Sequence, residues 1–133
     1  MATNQFIEQQ TKLYKSLKPC YCSAIENTVY FNAEGLRHLL YKDNRPRNIN
    51  EKIYRMHLVD YLVDVITQAT SAQKQLINES SFLWILEWIT ITDKKGNDLK
   101  IKIILRKKGN GNTHFLSAMQ KNNCYKSKKT RKK

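Results

Sequence analysis

The end of the chain concentrates residue types that bind phosphate and carry protons. Between residues 98 and 108, apolar and cationic residues alternate, which is the period of a β-strand with one buried face. One row would point inward, Leu99, Ile101, Ile103 and Leu105, and the other outward, Lys100, Lys102 and Arg106. Residues 108–112 predict a turn, and residues 113–119 predict a second strand with His114 and Ser117. Such a hairpin displays cations, an imidazole and a hydroxyl together, which suits a phosphodiester and proton transfer on it.

Cleavage of RNA without a metal needs a base for the 2′-hydroxyl, an acid for the leaving 5′-oxygen and cations for the charge at phosphorus. Histidine suits the proton transfers, and the planar fork of arginine suits the phosphoryl oxygens. We take His38 and His114 as the candidate acid/base pair, with Lys42 or Arg106 stabilising charge. Ser117 is a further candidate, but in a regular strand it points away from His114 and joins it only if a bulge intervenes.

Six other cations are candidates for binding the substrate phosphates: Arg37, Arg45, Arg47, Lys102, Lys107 and Lys108. Arg45 and Arg47 flank Pro46, which stiffens the backbone of the predicted loop at residues 41–49. Two guanidinium groups on a short, stiff loop suit phosphate binding. Ordinary surface charges would have the same appearance in the sequence.

The candidate His38 lies on a predicted helix over residues 33–42. Glu34, His38 and Lys42 are spaced four apart, so they share the side opposite the leucines. This polar ridge either faces a cleft or is simply a solvated helix face, and composition alone favours the solvated face. His57 borders the apolar stripe of the next helix and is interpreted as a boundary residue.

Composition indicates a polyanionic partner. The 133 residues are 41% hydrophobic and carry a net charge of +13, so RNA, DNA or an anionic membrane surface would attract the protein. Residues 121–133 hold seven of the 24 basic residues and no acidic one, which predicts a disordered basic tail. The tail would either raise affinity without sequence preference or merely solubilise the chain.

The cysteines and the apolar segments bear on the compartment. Three cysteines do not make a disulfide framework, and their odd number fits a reducing cytoplasm. Their spacing does not suggest a metal site, and we expect no metal or cofactor. The start of the chain lacks a signal peptide pattern, and the longest apolar run, residues 82–86, is too short to cross a bilayer. We therefore expect a cytoplasmic protein that does not enter membranes.

The periodicities predict helices first and strands later. The helices are expected over residues 4–17, 33–42 (capped by Asn32) and 50–69 (capped by Asn50), and the strands over 21–25, 28–31, 82–92 and the two hairpin strands. Residues 71–80 would extend the last helix or form a loop. Gly96 is placed for a positive φ in a turn, and Trp84 and Trp88 would share one strand face, as core residues or as a base-stacking pair.

This order predicts an α+β fold, in which N-terminal helices pack on one face of an antiparallel β-meander sheet. We divide the chain into an N-terminal helix at residues 1–20, an α+β domain at 21–120 and the basic tail at 121–133.

Two motifs, V-Y-F-N-A-E-G-L-R-H-L-L at residues 29–40 and T-H-F-L-S at 113–117, with the long helix between them, resemble the barnase–EndoU–colicin–RelE-like nuclease superfamily, most closely its phage and mobile-element branches. The resemblance spans roughly residues 29–119 and leaves out the first helix and the lysine tail. By position, it equates the helix histidine with His38, the final-strand polar residues with His114 and Ser117, and the cation of the penultimate strand with Arg106.

The resemblance implies a compact helices-then-sheet fold and metal-independent RNA cleavage through a 2′,3′-cyclic phosphate. It also implies a toxin-like action on tRNA or mRNA, with an inhibitor or immunity protein as partner. The residues leave two alternatives open. One is a non-catalytic nucleic-acid-binding protein of a phage or mobile element, whose binding would weaken steeply with salt and yield no product. The other is an interaction protein whose basic tail contacts DNA or an acidic partner.

Overall fold

A computed structural model describes residues 3–121 of the chain. The predicted basic tail, apart from Lys121, lies outside the described residues, and so does Cys124. These described residues form four α-helices: α1 (Thr3–Ser16), α2 (Ala33–Leu40), α3 (Ile49–His57) and α4 (Leu62–Gln68). A 3₁₀ turn, Leu58–Tyr61, connects α3 to α4. None of the helices within residues 3–121 is long and apolar enough to span a membrane.

The single helix predicted over residues 50–69 is wrong, because the chain tightens into the 3₁₀ turn at its middle. Leu58 and Val59 are both buried there. Local periodicity did not reveal this break, because adjacent apolar residues such as Val65 and Ile66 are also buried in the α-helical part that follows. The predicted cap is also displaced, since Asn48, not Asn50, accepts a hydrogen bond from the backbone N–H of Glu51 (2.9 Å). The other predicted cap is confirmed, since Asn32 accepts from the N–H of Gly35 (3.2 Å).

In the described part of the chain, eight strands form two sheets. They are β1 (Cys20–Cys22), β2 (Asn27–Tyr30), β3 (Tyr41–Lys42), β4 (Arg45–Pro46), β5 (Gln73–Asn78), β6 (Ser81–Thr92), β7 (Asp98–Lys108) and β8 (Thr113–Gln120). The main sheet has the order β1-β2-β8-β7-β6-β5, and β3 pairs with β4. The α+β class is confirmed, with an antiparallel meander from β5 to β8.

The main sheet is mixed, however, because β2 runs parallel to β8. This direction lets the chain leave β2 and enter α2 directly against β8. Gly35 of α2 lies so close that a Cβ built there would sit 2.6 Å from the carbonyl oxygen of Phe115. Helix α2 therefore packs closely against β8 at Phe115, just beyond the short pairing of β8 with β2.

Two segments differ from their predicted structure. Residues 71–80, predicted as helix or loop, hold the edge strand β5, whose six residues are all exposed and so give no burial pattern. Residues 41–49, predicted as a loop, begin with the β3–β4 hairpin. Its two-residue turn has Asp43 at φ 52° and Asn44 at φ 67°, as in a type I′ turn. The positive φ predicted for Gly96 is confirmed at 87°.

The helices pack on one face of the main sheet. The predicted inward row of β7 is buried there, against Leu39, Met56, Leu62 and Ile66 of the helices. We call the opposite face of β6, β7 and β8 the outer face. Apart from Ser81 at its end, none of its residues is buried, and it carries Lys100, Lys102 and Arg106 of β7, as the alternation predicted.

Candidate functional site

One row of residues runs across three neighbouring strands, from β2 over β8 to β7. The register aligns Tyr30 of β2 with His114 of β8, and His114 with Arg106 of β7. The rings of Tyr30 and His114 lie 6.2 Å apart, centroid to centroid. The predicted hairpin therefore forms and places His114 and Arg106 opposite each other on neighbouring strands.

A bulge in β8 brings Ser117 to the same face. His114 pairs with Arg106, Phe115 pairs with Leu105, and Ser117 pairs with Ile104. Leu116 therefore has no partner on β7. Leu116 is the extra residue that shifts the alternation by one. Ser117 was expected to share a face with His114 only if a bulge lay between them, and the structure has that bulge.

Arg106 links the sheet to helix α2. Its Nη1 donates a hydrogen bond to Oε2 of Glu34 over 3.1 Å, and both side chains are partly exposed, at 27% and 40%. Its Nε is buried and has no hydrogen-bond partner within the part of the chain that the structure describes. The guanidinium is thus oriented by Glu34 and keeps one donor that no residue between 3 and 121 uses.

Glu34, Arg106 and His114, but not Ser117, line a cleft of about 250 Å³, which we call the His114 cleft. Its walls come from the start of α2, the end of β7, the turn and the start of β8: Asn32, Glu34, Arg106, Lys108, Gly111, Asn112, His114 and Leu116. A carboxylate, an imidazole and two cations thus share one concave site. Such a set can accept a proton, donate a proton and balance anionic charge.

The second predicted histidine lies one helical turn from this cleft. His38 follows Glu34 by four residues on α2, a spacing that puts both on one side of the helix. Its backbone carbonyl accepts hydrogen bonds from Nε and Nη2 of Arg47, at 3.1 and 3.0 Å. His38 does not line the His114 cleft, so within residues 3–121 the two histidines do not share this site.

Several predicted phosphate ligands gather in a different, wider cleft of about 660 Å³, the arginine cleft. It is lined by Lys42, Asp43, Arg45, Pro46, Arg47, Asn48, Glu51 and Arg55, and it shares no lining residue with the His114 cleft. The β3–β4 hairpin holds Lys42 and Arg45, which are exposed. The sequence analysis had grouped Lys42, Arg45 and Arg47 with Arg106 at one site, whereas the structure places Arg106 in a different cleft from the other three.

The arginine cleft is partly neutralised from within. Glu51 accepts from Nε of Arg55 (2.8 Å) and lies 3.6 Å from Nη1 of Arg47. The Arg47 side chain is only 9% exposed. Burial, together with the nearby charge of Arg55, lowers the pKa of Arg47. Arg47 and Arg55 therefore act as structural groups of this cleft, and Lys42 and Arg45 are its accessible cations.

The remaining predicted cations lie elsewhere. Arg37 donates to Oδ1 of Asn44 (2.9 Å) and stacks over the Tyr41 ring. Lys102 lies 3.7 Å from a carboxylate oxygen of Glu87 on the outer face. Lys107 is aligned with Thr113 in the row of the core residues Leu105 and Phe115, so it does not share the face of Arg106.

Glu34 is the site residue that the sequence did not single out. It lay in the predicted polar ridge, and the signal that could have marked it is its position in the first turn of α2, directly after the cap Asn32. The sequence does not indicate that Glu34 contacts Arg106, because the two residues are 72 positions apart in the chain. Within residues 3–121, His, Cys, Asp and Glu side chains do not gather in groups of three or more that could hold a metal ion.

No protein-family model matches the chain, and no curated protein or solved structure matches it either. A functional assignment therefore rests on the chemistry of the two clefts and the outer face.

Proposed function

We propose that the protein is a metal-independent endoribonuclease and that the His114 cleft holds the phosphodiester that is cleaved. The observation that carries this proposal is the joint position of Glu34, Arg106 and His114 around one cleft. A carboxylate, a guanidinium and an imidazole are the three kinds of group that the reaction requires.

The proposed reaction begins when a base removes the proton from the 2′-hydroxyl, whose oxygen then attacks the adjacent phosphorus. The bond from phosphorus to the 5′-oxygen breaks, and that oxygen takes a proton from the imidazolium of His114. The products are a 2′,3′-cyclic phosphate and a 5′-hydroxyl end. Arg106, and Lys108 on the rim of the cleft, offset the charge that develops on the phosphoryl oxygens.

Glu34 is the favoured base, and His38 is the alternative. Glu34 lines the cleft with His114, and its contact with Arg106 fixes the carboxylate at the site. His38 lies one turn further along α2 and would have to reach the substrate beyond the cleft wall. Ser117 lies on the face of His114 and would position the ribose rather than transfer a proton.

Single-stranded RNA longer than the cleft would also contact other cations. Lys42 and Arg45 in the arginine cleft are placed to bind phosphates away from the cleaved bond, with Lys102 on the outer face and the lysines of residues 121–133 adding attraction. The resemblance further suggests a toxin-like nuclease of a phage or mobile element. An inhibitor or immunity protein would then restrain it in the cytoplasm.

The proposal is tested by incubating the purified protein with total RNA in EDTA and mapping the new ends. We expect discrete fragments with 2′,3′-cyclic phosphate and 5′-hydroxyl ends, accumulating with time. Intact RNA under conditions where the protein demonstrably binds it would contradict the proposal.

That second outcome would instead support a non-catalytic nucleic-acid-binding protein. The arginine cleft favours this alternative, because it gathers cations apart from the His114 cleft. Binding by such a protein would fall steeply with salt, in proportion to the number of phosphates neutralised.

A further inference from the structure

Trp88 lies on the outer face because of a bulge in β6. The register pairs Leu86 with Ile103 and Ile89 with Ile101, so two residues, Glu87 and Trp88, face the single residue Lys102. Trp88 has φ 41°, in the left-handed region that a residue with a Cβ rarely adopts. The prediction that Trp84 and Trp88 share a face is therefore wrong, since Trp84 pairs with the core residue Leu105.

Two ammonium groups lie over the Trp88 indole as cation–π contacts. The Nζ atoms of Lys102 and Lys121 lie 5.8 and 5.7 Å from its ring centroid. The backbone N–H of Lys121 donates to the carbonyl of Lys100 (2.8 Å), which fixes Lys121 at the end of the β7–β8 pairing. The indole is half-buried, so part of the ring is accessible to solvent next to Lys102 and Lys121.

This cluster lies on the same sheet face as the His114 cleft. Lys102 and Arg106 are both in the outward row of β7, four residues apart, which corresponds to about 14 Å along a strand. Ile104 and Ser117 lie between them on the outer face and are half-buried. A continuous surface therefore connects Trp88 to the cleft.

We infer that Trp88, with Lys102 and Lys121, is a stacking site for a base of single-stranded RNA. The two ammonium groups, which lie over the ring in the free protein, move off it to pair with the phosphates on either side of an unpaired base, and the face of that base stacks on the indole. This inference rests on the proposed function and names its substrate class: RNA that is unpaired next to the cleaved bond. A duplex cannot use the site, because its bases are stacked on one another.

The test separates binding from cleavage by using a probe that cannot be cut. A single-stranded oligonucleotide with 2′-O-methyl groups lacks the attacking hydroxyl, so it reports binding alone. In the Trp84→Phe variant, Trp88 is the only tryptophan, and its fluorescence reports stacking. We expect saturable quenching by the single strand and at least fivefold weaker binding of the same sequence as a duplex.

Two substitutions localise the effect. We expect Trp88→Ala to weaken binding of the single strand about fivefold or more, and Trp88→Phe to keep most of the affinity, because a phenyl ring also stacks. We expect Lys102→Gln to lower the slope of log affinity against log salt by about 0.7, as for the loss of one phosphate contact on a single strand.

Unchanged Trp88 emission at a saturating concentration of the single strand would overturn the inference, even if Trp88→Ala failed to fold. Equal loss of single-strand and duplex binding in Trp88→Ala would overturn it as well. Cleavage of ordinary RNA is measured separately. Quenching without cleavage would keep the stacking site and remove the nuclease, whereas cleavage without quenching would keep the nuclease and remove the stacking site.

Discussion

At the scale of single residues, Arg106 joins the two elements that carry the proposed chemistry. It is the strand partner of His114 and the hydrogen-bond partner of Glu34, and one of its donors remains unused in the described residues. The alternation of β7 predicted where Arg106 points. The sequence did not predict that Glu34 would meet it, because that contact depends on how α2 packs.

The choice of base is tested with two near-isosteric substitutions. We expect Glu34→Gln to lower the rate of RNA cleavage by about 10²-fold or more, the usual contribution of a general base, and His38→Gln to lower it less than tenfold. The free energy of unfolding should change by about 1 kcal/mol or less in Glu34→Gln, because its ion pair is partly exposed. The reverse pattern of rates would assign the base to His38.

At the scale of elements, strands with one buried face were predicted from the sequence, whereas a fully exposed strand was not. The β7–β8 hairpin has one buried face, so its alternation is legible, and α2 is marked by its cap Asn32. Strand β5 is exposed throughout and left no pattern. The 3₁₀ turn, the parallel pairing of β2 with β8 and the bulge at Trp88 arise from packing between distant segments, which local periodicity does not record.

The packing of α2 on β8 makes a further prediction. We expect Gly35→Ala to lower the free energy of unfolding by about 1–3 kcal/mol, because the added methyl group would overlap Phe115. This is opposite to the usual gain of about 1 kcal/mol when alanine replaces glycine inside a helix. Urea denaturation measures the change. Asn50→Ala, at an exposed position of α3, is the matched control and should shift stability by about 0.5 kcal/mol or less. A Gly35→Ala variant as stable as wild type would contradict the close approach.

At the scale of the whole molecule, burial of weakly acidic groups makes stability depend on alkaline pH. Burial, together with the neighbouring Cys22, raises the pKa of Cys20 to about 11 from its ordinary value of 9.0. Burial also raises the pKa of Cys22, Tyr14 and Tyr54. Above pH 9 the unfolded chain therefore holds fewer protons than the folded one, and the free energy of unfolding falls as pH rises.

We expect urea denaturation to show this decline between about pH 9 and pH 11, the interval over which Cys20 loses its proton in the unfolded chain but keeps it in the folded one. Cys20→Ser should make the decline shallower without abolishing it, since the other three groups remain. A free energy of unfolding that stays constant up to pH 11 would contradict the burial of these groups.

The whole molecule also separates two tasks. Under the proposed function, the His114 cleft would hold the groups for bond cleavage, while the cations of the arginine cleft and the outer face would hold a longer polyanion. A net charge of +13 favours encounter with any nucleic acid. Preference for single-stranded over double-stranded RNA would then depend on groups such as Trp88, on which only an unpaired base can stack.

The most direct test of the central claim is the rate at which His114→Ala generates cyclic-phosphate ends on a synthetic single-stranded RNA in EDTA, compared with the wild-type protein. We predict a loss of about 10²-fold or more, the contribution of a general acid, with an unchanged unfolding transition. His57→Gln, which alters a histidine outside the cleft, should cleave at the wild-type rate. Cleavage by a folded His114→Ala protein at the wild-type rate would contradict the account.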